Sequence, residues 1–152
     1  SLRQALRAAR GHCKVLVEIK HPGHGPRYEG IEEVLLRQLG EEKMLDQVVV
    51  ISFERLSLKR LREQSSGLQT GLLVGGATDV AAAHRELAIN WIAPHFGMVN
   101  RAYVEQAHKL GLRVNTWTVN EEAVMRQLVE AGCDSITSDR PDLLKQVLSQ
   151  SL

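Results

Sequence analysis

The chain has 152 residues, of which 43% are hydrophobic, and a formal net charge of +1. This length suggests about one domain with its own core, and the near-zero charge gives no indication of nucleic-acid binding, which usually requires a basic face. The densest basic cluster, at 59–62, has acidic neighbours and is interpreted as a solvated helix face. No apolar run approaches the roughly 18 residues of a membrane span, so we expect none.

Cysteine usage and the first residues bear on location. Cys13 and Cys133 are too few for a disulfide framework, and each lies beside an apolar strand, so both are predicted to be buried thiols. This fits a reducing compartment, and no signal-peptide pattern is visible. We therefore expect a cytoplasmic protein. The first residues already have a helical pattern, which is compatible with a further segment upstream.

Strand and helix patterns alternate along the whole chain. Predicted helices lie at 1–10, 30–39, 54–64, 79–87, 100–110 and 120–131, and a last one begins near Pro141. Predicted strands lie at 14–20, 48–52, 68–74, 89–93, 113–119 and 134–138. Asp79 and Asn120 are predicted N-caps, since Asp and Asn side chains accept hydrogen bonds from the free N–H groups of a first turn.

Strict alternation predicts an α/β fold with a parallel sheet and right-handed crossovers. An open doubly wound sheet usually has a Gly-rich phosphate turn after its first strand, and the loop at 21–26 does not match it. A TIM (β/α)8 barrel is favoured, although it needs eight strands and about 250 residues. We therefore predict a single partial barrel over residues 1–152, with about six βα units and the first two missing.

The strongest functional signal is the end of the first strand. Strand side chains alternate between two faces, so Leu16, Glu18 and Lys20 share one face. Carboxyl ends of parallel strands are where ligands bind. A carboxylate and an ammonium at such an end indicate either a polar site or a solvated ion pair of little energetic value. The residues alone leave both interpretations open.

Glu18 is the best candidate for a metal ligand. Hard cations such as Mg²⁺ and Ca²⁺ prefer several oxygen ligands, so one carboxylate is too few and the others must come from elsewhere. Lys20 could neutralise a phosphate or another anion as a point charge.

The strand at 113–119 has a polar and aromatic face made of Arg113, Asn115 and Trp117. If this face lines a barrel interior, Trp117 lies at the open end and could pack against a substrate; the alternative is core aromatic packing. His21 and His24, on the loop after the first strand, could act as acid or base or be solvated loop residues.

Four segments resemble the glycerophosphodiester phosphodiesterases, in the family's order and spacing. They are Val17-Glu18-Ile19-Lys20, Ile51-Ser52-Phe53, Val114-Asn115-Thr116-Trp117-Thr118-Val119-Asn120 and Gly132-Cys133-Asp134-Ser135-Ile136-Thr137-Ser138-Asp139-Arg140-Pro141. The compact spacing is similar to that of the short bacterial cytoplasmic members.

The resemblance implies a TIM barrel that hydrolyses glycerophosphodiesters, small molecules such as glycerophosphocholine, to glycerol 3-phosphate and an alcohol. It implies that Glu18 binds a divalent cation, Mg²⁺ or Ca²⁺. It also implies that Lys20 contacts the phosphate and that Trp117 lines the substrate pocket. Glu18 and Lys20 are thereby the expected catalytic residues.

The chain departs from the family at its beginning. The His-Arg-Gly, Pro-Glu-Asn-Thr and His-Asp motifs, which carry the acid/base histidines and most metal carboxylates, are not in this sequence. We therefore expect the isolated chain to be inactive and to bind metal weakly. Strands at 14–20 and 134–138 would have bare edges, which invite pairing with another chain. We therefore expect one of three situations: the chain is the carboxyl-terminal part of a longer enzyme, it is completed by an amino-terminal fragment, or it associates with itself.

Two other functions are considered. The first is a non-catalytic truncated barrel that serves as an interaction or assembly module. The second, weaker idea is a lyase of the same superfold that cleaves choline phospholipids, which would need an apolar loop surface for lipid docking. The loop at 21–29 is polar and does not favour it.

Overall fold

The computed structural model of the protein describes residues 1–21 and 23–150. The described chain contains the helices α1 (Leu2–Ala9), α2 (Ile31–Glu41), α3 (Arg55–Gln64), α4 (Val80–Leu87), α5 (Arg101–Lys109), α6 (Glu122–Ala131) and α7 (Pro141–Gln150). Its strands are β1 (Val15–Ile19), β2 (Val48–Ser52), β3 (Gln69–Val74), β4 (Trp91–Pro94), β5 (Arg113–Thr116) and β6 (Ser135–Ile136). The predicted order, six strands that are each followed by a helix and one helix in front, is confirmed.

The chain forms two compact units. The first contains residues 1–72 and 85–89, and the second contains residues 73–84 and those from 90 onward. In the first unit β1 pairs with β2 and β2 with β3, and in the second β4 pairs with β5 and β5 with β6. Every one of these pairings is parallel, as a chain of βα crossovers requires.

The core of the first unit lies between its strands and the helices α1 and α2. β2 is an apolar run that ends in Ser52, and it is buried along its whole length, as expected for a parallel strand covered on both faces. Val15, Val17 and Ile19 of β1 pack into the cluster that contains Leu6 of α1 and Leu39 of α2. Because strand side chains alternate, the opposite face of β1 carries Leu16 and Glu18, and Lys20, directly after the strand, lies beside Glu18 as predicted.

Glu42, the C-cap residue directly after α2, fixes α1 to this core. Its carboxylate is almost fully buried and accepts two hydrogen bonds of 2.9 Å from Arg7, while Arg10 and Arg3 lie 3.4 and 3.5 Å away. Hydrogen bonds from Arg7, together with the charges of the three arginines, hold the pKa of Glu42 below its usual range. Two arginines of α1, Arg3 and Arg7, and Arg10 directly after it thus converge on a single carboxylate.

We expect Glu42→Gln to lower the melting temperature at pH 7, because the amide keeps the volume but loses the charge that the arginines surround. A carboxyl group with a depressed folded-state pKa contributes stability above its unfolded pKa, and this stability is lost as pH falls through about 4 and below. The difference between variant and wild type should therefore shrink in acid. Thermal melts from pH 7 to pH 3, with the exposed-site variant Glu105→Gln as control, measure it; a pH-independent difference would contradict the interpretation.

The second unit has its core under α6 and α7. Val119, Met125, Leu128 and Val147 form a buried cluster there. α6 ends at Gly132, which adopts the left-handed conformation with φ of 90° that glycine accommodates without strain.

The sequence prediction is wrong on the end of β5 and the start of α6, and it makes β6 too long, at 134–138 instead of Ser135–Ile136. β5 ends at Thr116 rather than Val119, and Trp117 makes a single bridge to His95. Asn120 does not cap α6, whose N-cap residue is Glu121 without a side-chain cap bond. Instead, the Asn120 side chain accepts from the Asp139 backbone N–H at 3.0 Å and donates to the Asp139 carboxylate at 2.9 Å. The Asn120 side chain thus bonds a residue 19 positions away instead of the first turn of α6.

The prediction that both cysteines are buried is wrong for Cys13, which is exposed, while Cys133 is partly buried. Burial, and secondarily the Asp134 carboxylate, raises the pKa of Cys133 to about 11. Because the thiolate is the nucleophile, we expect iodoacetamide at pH 8 to modify Cys13 well before Cys133. Peptide mass mapping over time checks this, and denatured protein should lose the difference. Equal rates in the native protein would contradict the placement of the two thiols.

Candidate functional site

The end of β1 brings Glu18 and Lys20 together. The Lys20 ammonium donates to Glu18 Oε2 at 2.7 Å. The side chain of Glu18 is 27% exposed and that of Lys20 is 75% exposed, so both groups remain open to solvent and to a ligand. An ion pair this exposed adds little stability. Its position at the carboxyl end of a parallel strand is the reason to consider it functional.

Ser52, the last residue of β2, lies beside Ile19, the residue between Glu18 and Lys20. It is fully buried and stands opposite Ile19 in the parallel register. Its hydroxyl donates to the Ile19 carbonyl at 2.7 Å and accepts from the Glu54 backbone N–H at 2.9 Å. One side chain therefore ties the end of β1 to the segment that starts α3.

His21 has a defined environment. Its Nδ1 accepts a hydrogen bond from the Gly23 backbone N–H at 3.0 Å, which places the proton of the neutral ring on Nε2. Nε2 lies 3.7 Å from the Glu54 carboxylate, and Glu54 also caps α3 by accepting from the Leu56 N–H. His24 is exposed on the same loop. The sequence placed both histidines on this loop; their proposed acid or base role stays a prediction.

A buried ion pair anchors the loop that follows Lys20. The Arg27 guanidinium bonds the Glu32 carboxylate, which is completely buried in the first turn of α2, and also donates to the Ser57 hydroxyl of α3 at 3.3 Å. Burial by itself would raise the pKa of Glu32, but hydrogen bonds from Ser57 and Arg27 outweigh it and hold that pKa below its usual range. The loop is thereby fastened to two helices of the first unit.

Trp117 belongs to the second unit. Its indole N–H donates to the Ala93 carbonyl at 2.7 Å, and its ring meets His95 edge-on with centroids 5.4 Å apart. The peptide bond between Trp117 and Thr118 is cis. The indole is partly buried, so one edge is fixed by the strand ends while part of the ring stays accessible.

β5, which ends just before Trp117, carries polar side chains on the face that Trp117 continues. Asn115 is 1% exposed, and its side-chain oxygen accepts from the Thr137 hydroxyl at 3.2 Å. Arg113, at the opposite end of β5, is exposed and lies over the Trp91 ring at 5.5 Å. The predicted polar and aromatic face of this strand is therefore present, with Arg113 at its solvent end.

Glu18 offers the oxygen chemistry that Mg²⁺ and Ca²⁺ prefer, but it offers a single carboxylate. Among residues 1–21 and 23–150 there is no group of three or more His, Cys, Asp or Glu side chains placed to hold a metal ion. A hard cation needs more ligands than this. The described residues therefore do not fit a complete metal site by themselves.

The profile of the glycerophosphoryl diester phosphodiesterase family matches residues 1–143. The chain belongs to this family. A glycerophosphodiester phosphodiesterase of Bacillus subtilis (strain 168) is 28% identical over 147 residues, which cover 90% of this chain and 49% of the relative. The chain spans about half the length of the curated relatives it matches.

Solved structures agree with this family assignment. A structure from Silicibacter pomeroyi DSS-3, assigned to the glycerophosphoryl diester phosphodiesterases, is 25% identical with a TM-score of 0.88, and the match covers 99% of this chain and 56% of that one. An Oleispira antarctica phosphodiesterase solved with sn-glycerol-3-phosphate shares the fold at 19% identity and a TM-score of 0.67, over 80% of this chain and 51% of that one. The predicted fold class, six βα units of the TIM-barrel type, is confirmed.

Sequence reasoning missed the residues that support the pair. Ser52 lies in one of the four family-like segments, but the sequence alone indicates no role for it and none for Arg27 or Glu32. For Glu32 the sequence does contain a signal. It is the second residue of a helix and lies on the side of Leu35 and Leu39. An acidic residue there is costly to bury without a cation nearby. Within the described residues, no helix is long and apolar enough to cross a membrane.

Proposed function

We propose that this chain is the carboxyl-terminal part of a metal-dependent phosphodiesterase that hydrolyses glycerophosphodiesters to glycerol 3-phosphate and an alcohol. The observation that carries the proposal is the Glu18–Lys20 pair, with 2.7 Å between ammonium and carboxylate at the carboxyl end of β1, in a chain of this family. Relatives with that activity name and a structure that holds the glycerol phosphate product support the substrate class. Residues beyond this chain would supply the rest of the site.

In this proposal each residue has a separate task. Glu18 would be one oxygen ligand of the cation, Mg²⁺ or Ca²⁺, which when bound would withdraw charge from the phosphoryl group. Lys20 would neutralise a phosphate oxygen as a point charge. Trp117 would form an apolar wall of the substrate pocket. We also propose a cytoplasmic location, because the family-like segments are spaced as compactly as in the short bacterial members.

The isolated chain is expected to be inactive, since phosphoryl transfer depends on positioned charge and this chain supplies one carboxylate and one ammonium. Adding Mg²⁺ or Ca²⁺ to purified chain with glycerophosphocholine, and following glycerol 3-phosphate by a coupled assay, checks this. A complete relative such as the Bacillus subtilis enzyme serves as the positive control. Hydrolysis by the isolated chain at enzyme-like rates would contradict the expectation.

An alternative function is a non-catalytic partial barrel that acts as an interaction or assembly module. Within the described residues, β1 has its one strand partner in β2, and β6 has its one partner in β5. An unpaired strand edge can accept another strand, either from an amino-terminal segment or from a second copy. The intact mass of the source protein and light scattering of this chain distinguish the enzyme from the interaction module. A source protein heavier by roughly 100 residues supports the enzyme. A source protein of equal mass that self-associates supports the module.

A further inference from the structure

A single hydroxyl holds the backbone of the Glu18–Lys20 segment in place. The carbonyl that accepts from Ser52 Oγ at 2.7 Å belongs to the peptide between Ile19 and Lys20. It therefore lies in the main chain between the carboxylate and the ammonium. Lys20 is 75% exposed, so little packing surrounds its side chain and the backbone decides where the ammonium can reach.

The Ser52 hydroxyl also accepts a hydrogen bond, in addition to the one that it donates. A serine hydroxyl has one hydrogen to donate and lone pairs to accept, and Ser52 uses both, toward the Ile19 carbonyl and from the Glu54 N–H at 2.9 Å. Ser52 is 0% exposed. Removing its hydroxyl would leave a buried acceptor and a donor without these partners, an arrangement that the backbone would relieve by moving.

We propose that Ser52 is a positioning residue for the phosphate and cation site. It acts through Ile19, by fixing the peptide that sets the approach of Lys20 to Glu18, and it contacts neither ligand. The role toward phosphate and cation rests on the proposed function. The effect of Ser52 on the Glu18–Lys20 pair can be measured without any ligand. A threonine at this position keeps the donor, whereas an alanine removes it.

The test uses the chain itself and the carboxyl ¹³C chemical shift of Glu18. Wild type and Lys20→Met define the shifts of the paired and unpaired carboxylate. We expect Ser52→Ala to move the shift at least halfway toward the unpaired limit, and Ser52→Thr to stay at the wild-type value. Inorganic phosphate, titrated into wild type at neutral pH and followed at the Lys20 amide, tests the proposed task of Lys20 separately from the role of Ser52.

Ser57→Ala is the matched control. It also removes a buried hydroxyl from the first unit, on α3 beside Arg27, and should lower the melting temperature without moving the Glu18 signal. If Ser52→Ala does not fold, Ser52→Cys, a weaker donor of similar size, should lie between the two limits.

A Glu18 shift that stays at the wild-type value in the folded Ser52→Ala or Ser52→Cys variant would overturn the positioning role. Failure of wild type to bind phosphate, with the Glu18 shift still dependent on Ser52, would instead count against the proposed task of Lys20 and leave the positioning role supported.

Discussion

In the proposed complete phosphodiesterase, replacing Glu18 by glutamine is expected to lower kcat/KM by about 10²- to 10³-fold, the usual loss when a preorganised charge partner of the reaction is removed. The amide has nearly the same shape as the carboxylate, so the fold should be retained. It cannot supply the charge that a hard cation prefers. Steady-state hydrolysis of glycerophosphocholine over a range of Mg²⁺ and Ca²⁺ concentrations measures the loss.

Glu33→Gln, an exposed change on α2 of the same unit, is the control and should leave kcat/KM within about twofold. If the Glu18 variant keeps wild-type activity at every metal concentration, Glu18 is no ligand and the role carried over from the family is wrong. Partial recovery at high metal concentration would instead support a weakened cation site.

The same substitution should have the opposite effect on phosphate binding by the isolated chain. Glu18 accepts the Lys20 ammonium at 2.7 Å and thus competes with any anion for it. Glu18→Gln removes that competitor, so inorganic phosphate should bind more tightly, whereas Lys20→Met should abolish the binding. Chemical-shift titration of both variants decides this. Weaker binding by Glu18→Gln would show that Glu18 does not compete with the anion, and unchanged binding by Lys20→Met would show that Lys20 does not serve it.

The largest loss of stability is expected from Glu32→Ala. Glu32 is fully buried and neutralises Arg27, whose side chain is 16% exposed. Removing one partner of such a pair leaves a charge poorly solvated, which typically costs about 3 kcal/mol or more. We therefore expect the free energy of unfolding, from urea titration, to fall by about 3 kcal/mol. The loop after Lys20 should also become more accessible to protease.

The double variant Arg27→Met with Glu32→Leu is the informative comparison. Because apolar residues can replace a buried ion pair at little cost, it should recover most of the lost stability. Exposed Glu29, which bonds Arg27 and Arg60 from the surface, provides a control: Glu29→Ala should cost less than 1 kcal/mol, as exposed pairs do. Equal losses for Glu29 and Glu32 would show that burial does not determine the energetics here.

The order of elements followed from the sequence because it depends on local patterns. The β-branched run at 48–51, the apolar helical spacing of Leu35 and Leu39, and the glycine at 132 each determine a local conformation. The end of β5 was not predictable in this way. Residues 117–119 are as strand-like as those before them, yet the ladder needs a partner, and β6 has only two residues to offer.

The candidate site likewise has some features that the local sequence predicts and others that depend on distant contacts. Glu18 and Lys20 were predictable, because period-two alternation and the end of a strand place them on one face. The supporting contacts were not, since Ser52 reaches Ile19 across 33 residues and Arg27 reaches Ser57 across 30. Such contacts depend on which strand and helix become neighbours. Trp117 was correctly expected near a strand end, and its task toward a substrate stays a prediction.

Trp117 also gives the second unit an intrinsic optical probe. The chain has two tryptophans, and the other, Trp91, is 7% exposed. In a Trp91→Phe background the emission would come from an indole whose N–H is engaged by Ala93 and whose edge meets His95. A change in that hydrogen bond or in the water around the ring would shift the emission wavelength. Ligand arrival beside β5 can then be timed by stopped-flow fluorescence without any attached dye.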